Sequence, residues 1–209
     1  MIRPPGLLGA AFGTAVDGDG RNDPDVRNRL AVEFGVPADW ASVDQVHGAA
    51  VVRATEAGNL GEADATFTSR SGLALAVATA DCVPVVIEGP DVAGVAHAGW
   101  RGVTAGVIPA LLDAMRSAGL SPVRAGIGPS IGPCCYEVGE DVLSALGRFA
   151  AVTTWGTTSL DLWSAVASNL NGLAVWRSDE CTLCGTGHYS HRRDGTTERQ
   201  VTLAWLPDD

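Results

Sequence analysis

Apolar residues recur along this chain in two rhythms. Three runs are continuously apolar and each is bounded by turn signals: LALAVAT at 73–79, VPVVI at 83–87 and VAGVA at 92–96. Such runs predict central strands buried on both faces. Elsewhere the period lengthens. DPDVRNRLAVEF at 23–34 predicts a helix: Asp23 caps it, Pro24 suits the first position, Val26, Leu30 and Phe34 share one face, and Gly35 ends it. VTAGVIPALLDAMRSAG at 103–119 has helical spacing at Val103, Val107, Leu111 and Met115 with Gly119 as a stop, and Pro109 is expected to bend it or shift its start. Further helices are expected from Glu140 to Ala150 and over SLDLWSAVASNLNG, 159–172, with Leu162, Val166 and Leu170 on one stripe. Short strands are expected at 41–46, 49–54, LAVWRS and the near-terminal RQVTLAWL, which then closes a sheet rather than trailing as a tail. Strand-like and helix-like segments alternate irregularly without repeats or long linkers, which predicts one mixed α and β domain over 1–209.

Composition narrows the function classes. The 209 residues are enough to bury a core without disulfides or structural metals. No apolar run approaches the roughly 20 residues that cross a bilayer, so no membrane role is expected. The stretch MIRPPGLLGAAFGTA has two prolines and too short an apolar core for a secretory signal, so the expected location is the cytoplasm. Five cysteines, Cys82, Cys134, Cys135, Cys181 and Cys184, are an odd set pointing to free thiols or metal ligands rather than a disulfide framework. A formal net charge of -10 argues against a nucleic-acid partner. All fourteen cationic side chains are arginine, so a Schiff-base or P-loop lysine is excluded, and an anion site must use Arg, backbone N–H groups or a metal.

Three segments place a nitrogen or sulfur donor beside a strand or turn: QVHG with His47, ADCVPV with Cys82 and AHAGWRG with His97. Two imidazoles and a thiolate suit Zn²⁺, with copper as a substitute, and three protein donors leave a coordination position open, the catalytic pattern. Taken singly, each residue fits a packed core position better than a ligand position, and the trio has no spacing signature of its own. A second cluster, Cys181, Cys184, His188 and His191, has C-x2-C spacing, but its histidines stand closer than zinc-finger pairs do; its alternative is a loop beside a pocket. Arg101 precedes a predicted helix whose first N–H groups suit an anion. Arg192, Arg193 and Arg199 surround a turn and are candidates for phosphate, against the plainer reading of a solvated surface turn. The Gly- and Pro-rich stretch 126–142 reads either as a connection or as a pocket wall. Asp81, beside Cys82, and Asp64, in EADA, are candidates to orient a ligand or shuttle a proton.

DQVHGAAV, EADATFTSRSGLALAVATADCVPVVI, VAGVAHAGWRGVTAGVI, AGIGPSIGPCCYEVGEDV, LDLWSAVASNL and SHRRDGTTERQ, in this order, resemble the YfiH-like family, also called polyphenol oxidase or laccase-domain proteins. The resemblance implies an α+β fold with mixed sheets in a sandwich and the metal at strand ends. It implies that His47, Cys82 and His97 are the catalytic zinc ligands. It also implies purine nucleoside and phosphate as substrates: phosphorolysis of adenosine, inosine and methylthioadenosine, and deamination of adenosine. Arg101, Arg192, Arg193 and Arg199 are then the phosphate candidates. Two positions depart from the family pattern, Ala15 where an arginine is usual and Glu198 in the Gly-Arg-Gln element.

Three rival readings stand beside this one. A multicopper laccase requires on the order of ten histidines for its blue and trinuclear centres, and this chain has four. A cysteine hydrolase would use Cys82 as nucleophile with His97 or His47 as base. A non-catalytic partner or peptidoglycan-editing factor is the third, since that role is suggested for some family members.

Overall fold

The computed structural model describes residues 1–21 and 23–207. Two mixed sheets pack face to face. In chain order the strands are β1 (Ala10–Phe12), β2 (Trp40–Asp44), β3 (Val51–Arg53), β4 (Gly58–Glu62), β5 (Ala65–Thr68), β6 (Ala74–Thr79), β7 (Val83–Glu88), β8 (Ala93–Ala98), β9 (Arg124–Ile127), β10 (Ala150–Val152), β11 (Thr158–Leu160), β12 (Ala174–Arg177) and β13 (Gln200–Ala204). The first sheet runs β1-β13-β6-β2-β4 and the second β12-β9-β7-β8-β5-β3, while β10 and β11 form a separate hairpin. Both sheets mix directions: β2 runs parallel to β4 and β6, whereas β13 is antiparallel to β1 and β6. The helices are α1 (Pro24–Phe34), α2 (Trp100–Ala105), α3 (Val107–Ser117), α4 (Glu140–Leu146), α5 (Leu162–Ala167) and α6 (His191–Asp194).

Period-two alternation divides the apolar side chains among three layers of core. Leu75 and Val77 of β6 face Val86 and Val95 of the other sheet, with Phe12 between them. Ala74, Ala76 and Ala78, on the opposite face of β6, meet Leu30 of α1 and Trp40. Val83, Val85 and Ile87 of β7 point the other way, against Val107, Ile108, Leu111 and Met115 of the α2–α3 segment and Leu162 and Val166 of α5. The layers are therefore helix, sheet, sheet, helices, and β6, β7 and β8 are buried along their whole length, as their continuous apolar runs predict. Gly94 lets α3 approach β8: a Cβ there would lie 2.0 Å from Met115 Cε.

Local chemistry explains where sequence-based boundaries hold and where they move. The Asp23 carboxylate accepts from the N–H groups of Asp25 and Val26, Pro24 opens α1, and Gly35 closes it in the left-handed region at φ 63. The expected helix at 103–119 is instead two. It starts at Trp100 and breaks at Gly106, φ 85, so that Pro109 falls in the first turn of α3, where no intrahelical N–H is lost. The helix expected at 159–172 begins only at Leu162, because Asp161 caps it by accepting from Ser164 N–H, while 158–160 pair with β10. The Glu140 helix stops at Leu146 and tightens into a 3-10 turn, Gly147–Phe149. RQVTLAWL does close a sheet, as β13 between β1 and β6. Strands β1, β4, β5, β9 and β10 have no counterpart among the expected strands; they are short, or glycine-bearing as in GNLGE, and take their conformation from their neighbours.

Leu111 is fully buried where α3 meets β7 and β8. Truncating it removes core contacts that the sheet cannot collapse to refill. Leu111→Ala is expected to lower unfolding stability by about 2–5 kcal/mol, measured by urea denaturation; a change under about 0.5 kcal/mol would contradict this packing.

Candidate metal centre

β2, β6 and β8 end close together, and the turns that leave them carry the candidate donors. Gln45, one residue past β2, continues the ladder with its side chain: its amide donates to Ala78 O and its Oε1 accepts from Ala78 N–H, both at 2.8 Å. The chain then turns sharply, with His47 at φ 61. Three successive N–H groups from Val46, His47 and Gly48 point inward and donate to the Asp64 carboxylate, at 3.3, 2.9 and 2.5 Å. Asp64 Oδ1 also holds His97 Nδ1 at 2.8 Å, and neither residue is more than 3 % exposed. One buried carboxylate thus fixes the loop bearing the first imidazole and the ring of the second, leaving the other nitrogen of His97 free.

Cys82 arrives from the turn after β6, where Asp81 adopts φ 88. Its Sγ lies 3.9 Å from His47 Nε2, and the donor atoms of His47, Cys82 and His97 all fall within 4.8 Å of one another. The two imidazoles meet edge to face with centroids 4.7 Å apart. Gly99 leaves this space clear: a Cβ on it would sit 3.0 Å from Cys82 Sγ and 3.1 Å from His47 Cδ2. Burial pushes the Cys82 thiol up, but the imidazoles of His47 and His97 outweigh burial and hold it down at about 6. Burial works to lower His97, while Asp64 and the Cys82 thiolate outweigh it and raise the imidazole to about 9. An N, S, N donor set with a thiol held below its ordinary value and one imidazole oriented by a carboxylate fits a borderline divalent metal.

The donors stand at the floor of a cavity of about 670 Å³. Arg192 and Arg199 line it, as do Arg21 and Arg27, two cations the sequence reading does not single out. Arg27 lies over the Trp40 ring at 5.0 Å, and Arg192 over Tyr136 at 5.5 Å. Ile131 and Tyr136 also line the cavity, so the stretch 126–142 is a pocket wall. Burial beside Cys82 pushes the Tyr136 phenol up to about 12.

Other candidates are placed elsewhere. Arg193 donates to the carbonyls of Thr182, Gly185 and His188 and pairs with Asp194, so its guanidinium staples the 182–188 loop and is not among the cavity-lining residues. Arg101 is exposed, lies 4.4 Å over Trp100, and stands outside the cavity lining. Asp81 lines the cavity, but its carboxylate is taken up by Thr182 Oγ1 and the Arg192 N–H, both at 2.7 Å; it fastens the C-terminal segments to the turn that carries Cys82. The cluster of Cys181, Cys184, His188 and His191 does not form, because His188 Nε2 binds Glu180 at 3.0 Å and His191 Nδ1 faces Thr196 O. Glu198 is exposed and outside the cavity lining. Arg21 precedes α1 and Arg27 lies on it, and neither belongs to a motif segment with a donor or anion-binding pattern; only packing beside Trp40 and the C-terminal segment brings them to the cavity.

The family model described as multi-copper polyphenol oxidoreductase laccase matches residues 10–207. A purine nucleoside phosphorylase of Streptomyces coelicolor is 42% identical over 195 residues, 86% of this chain and 81% of the relative. The purine nucleoside phosphorylase ORF3 of Streptomyces griseus is 40% identical over 95% of this chain and 86% of its own. The crystal structure of Bacillus licheniformis YfiH superposes with a TM-score of 0.85 at 28% identity, covering 95% of this chain and 92% of that one. Among the described residues no helix is long and apolar enough to cross a membrane.

Two outcomes follow from the electrostatics. Asp64→Ala leaves three inward N–H groups and a buried imidazole without their acceptor and is expected to cost about 3–5 kcal/mol of stability, read by chemical denaturation; a loss below about 1 kcal/mol would remove Asp64 from this role. In chelator-treated protein the lowered thiol is ionised above about 6 and the raised imidazole stays protonated below about 9, so a thiolate–imidazolium pair spans that window. Alkylation of the Cys82 peptide, followed by mass spectrometry, should therefore rise with a midpoint near 6; a midpoint at the ordinary thiol value of about 8.5 would contradict it.

Proposed function

The chain belongs to the multi-copper polyphenol oxidoreductase laccase family, the YfiH family, and we propose that it is a purine nucleoside phosphorylase whose His47, Cys82 and His97 hold zinc. One observation carries the reading: two imidazoles and a thiolate converge at the floor of an arginine-rimmed cavity. Its volume, about 670 Å³, is that of small-molecule sites, which run from about 300 to 1,000 Å³. The copper of the family description sits poorly with this chain, because its four histidines are fewer than half the roughly ten that blue and trinuclear centres require.

In phosphorolysis a phosphate oxygen bonds to C1′ as the C1′–N9 bond breaks. The bonding pair leaves with the purine, which takes up a proton, giving free base and ribose 1-phosphate. Arg192, Arg199, Arg21 and Arg27 attract the phosphate dianion into the cavity and offset its charge there. Arg27 supplies cationic charge at the cavity, Arg21 beside it is paired with Asp19, and position 15 carries alanine. Arg101, outside the lining, contributes field rather than contact. Tyr136 and Trp40 offer aromatic surface to the base. When bound, zinc supplies a Lewis acid that makes hydroxide available near neutral pH. The same site then suits deamination of adenosine, in which water adds at C6 and ammonia leaves to give inosine. Asp64 keeps His97 in one tautomer and orientation throughout.

A second reading rests on the array Asp64, His97, Cys82, which has the carboxylate, imidazole and thiolate order of a cysteine hydrolase. Metal dependence separates the two. Zinc-loaded protein incubated with adenosine and phosphate is expected to yield adenine and ribose 1-phosphate, with inosine from deamination. His97→Ala should lose the bound zinc and both activities. Arg199→Ala should raise the KM for phosphate by about 10–100-fold, the loss of one charge-assisted contact. No product from zinc-loaded protein would overturn the phosphorylase reading. Activity that survives chelation and is abolished by alkylating Cys82 would establish the hydrolase.

A further inference from the structure

The strands β9 and β12 run parallel, and their two chains stay side by side beyond the strand ends. Ser130 bridges to Cys181, with Ser130 N–H donating to Glu180 O at 3.2 Å and Thr182 N–H to Ser130 O at 3.1 Å. On one side the chain then winds a turn, with the N–H groups of Cys135 and Tyr136 both donating to Gly132 O. On the other side it makes the C-x2-C turn of Cys181 and Cys184. The outcome is a four-sulfur cluster: the Sγ atoms of Cys134, Cys135, Cys181 and Cys184 all lie within 4.8 Å of one another.

We propose that these four cysteines form a second metal site, a closed tetrathiolate that takes zinc and is distinct from the donors at the cavity floor. A tetrahedral ion with Zn–S bonds of about 2.3 Å places its sulfurs about 3.8 Å apart. Cys184 Sγ lies 3.5 Å from Cys134 Sγ and 3.2 Å from Cys135 Sγ. These separations are far beyond the roughly 2.05 Å of a disulfide and need only small adjustments to reach the tetrahedral edge. A second observation points to thiolate. The Gly132 N–H, from the other segment, donates to Cys181 Sγ at 3.2 Å. A backbone N–H aimed at a sulfur favours negative charge on it, the form in which a cysteine ligates metal. Because all four positions are filled by protein, the site is structural rather than catalytic.

Its place in the fold gives it a consequence. Tyr136 follows Cys135 directly, and Thr182, which follows Cys181, donates to the Asp81 carboxylate that also holds the Arg192 N–H. Arg192 in turn donates to Glu137 O at 2.9 Å. Metal at the cysteine cluster therefore clamps the two segments that carry Tyr136 and Arg192, one wall of the cavity.

The test is metal content of protein purified under reducing, anaerobic conditions. Wild type is expected to hold about two equivalents of zinc per chain, and Cys184→Ser, at an exposed position, about one less. His97→Ala should also lose about one, and the double variant nearly all, so failure of the cavity site and failure of the cysteine site are read separately. Cobalt-reconstituted His97→Ala should show the intense thiolate-to-cobalt charge transfer and tetrahedral d–d bands of a four-sulfur ligand set, lost in the double variant. Circular dichroism checks that each variant is folded, and Cys134→Ser repeats the test from the other segment. Zinc content in folded Cys184→Ser and Cys134→Ser equal to wild type would overturn the proposal. So would a disulfide linking Cys184 to Cys134 or Cys135 in the anaerobically purified protein.

Discussion

Asp64 is a carboxylate wholly withdrawn from water, and a buried charge left without partners costs several kcal/mol. That cost is met by four donors that come from two different segments: the N–H groups of Val46, His47 and Gly48, and the Nδ1 of His97. The loop after β2 must therefore fold inward, which places His47 in the left-handed region and its ring against that of His97. The geometry of the metal centre is in this sense a by-product of satisfying one anion. The lowered Cys82 thiol and the raised His97 imidazole follow from the same arrangement, since the negative carboxylate supports the imidazolium and the imidazolium supports the thiolate.

The sheets make that carboxylate possible. β6, β7 and β8 are buried over their full length, so polar groups in this part of the chain can reach solvent only where the strands stop. Alanines on β6 and β8 keep the layers close, and Gly94 and Gly99 remove the two side chains that would collide with α3 and with the donor atoms. The cavity opens where the five-stranded sheet ends and α1, Tyr136 and the C-terminal arginines surround it. Cationic rim and soft-donor floor belong to different parts of the chain, and only the closing of both sheets brings them together.

The parts of this architecture that sequence patterns revealed share a property: their determinants are local. The α1 helix carries its cap, its proline and its terminating glycine within the thirteen residues Asp23 to Gly35, and all act as expected. The three buried strands announce themselves by uninterrupted apolar runs. The single helix expected at 103–119 is two because Gly106 breaks it, and a glycine between two apolar stretches fits either a break or a helix interior until packing decides. Sequence spacing also paired Cys181 and Cys184 with the histidines that follow them. In the fold His188 turns to Glu180, and the cysteines instead meet Cys134 and Cys135, about fifty residues away, because β9 and β12 are neighbours.

By itself the sequence determined the chemical inventory: no lysine, five thiols without a disulfide framework, three soft or borderline donors at strand ends, and motifs sufficient to identify the family. Those are properties of residue type and short spacing, which no folding event alters. The tertiary structure alone decided which of fourteen arginines face the cavity, that Arg193 staples its own loop outside the cavity while Arg21 and Arg27 line it, that Asp64 rather than Asp81 orients a histidine, and which cysteines meet. Apart from the stapling of Arg193 within its own loop, these depend on contacts between segments far apart in the chain, and strand pairing, which brings such segments together, leaves no mark at the positions it joins.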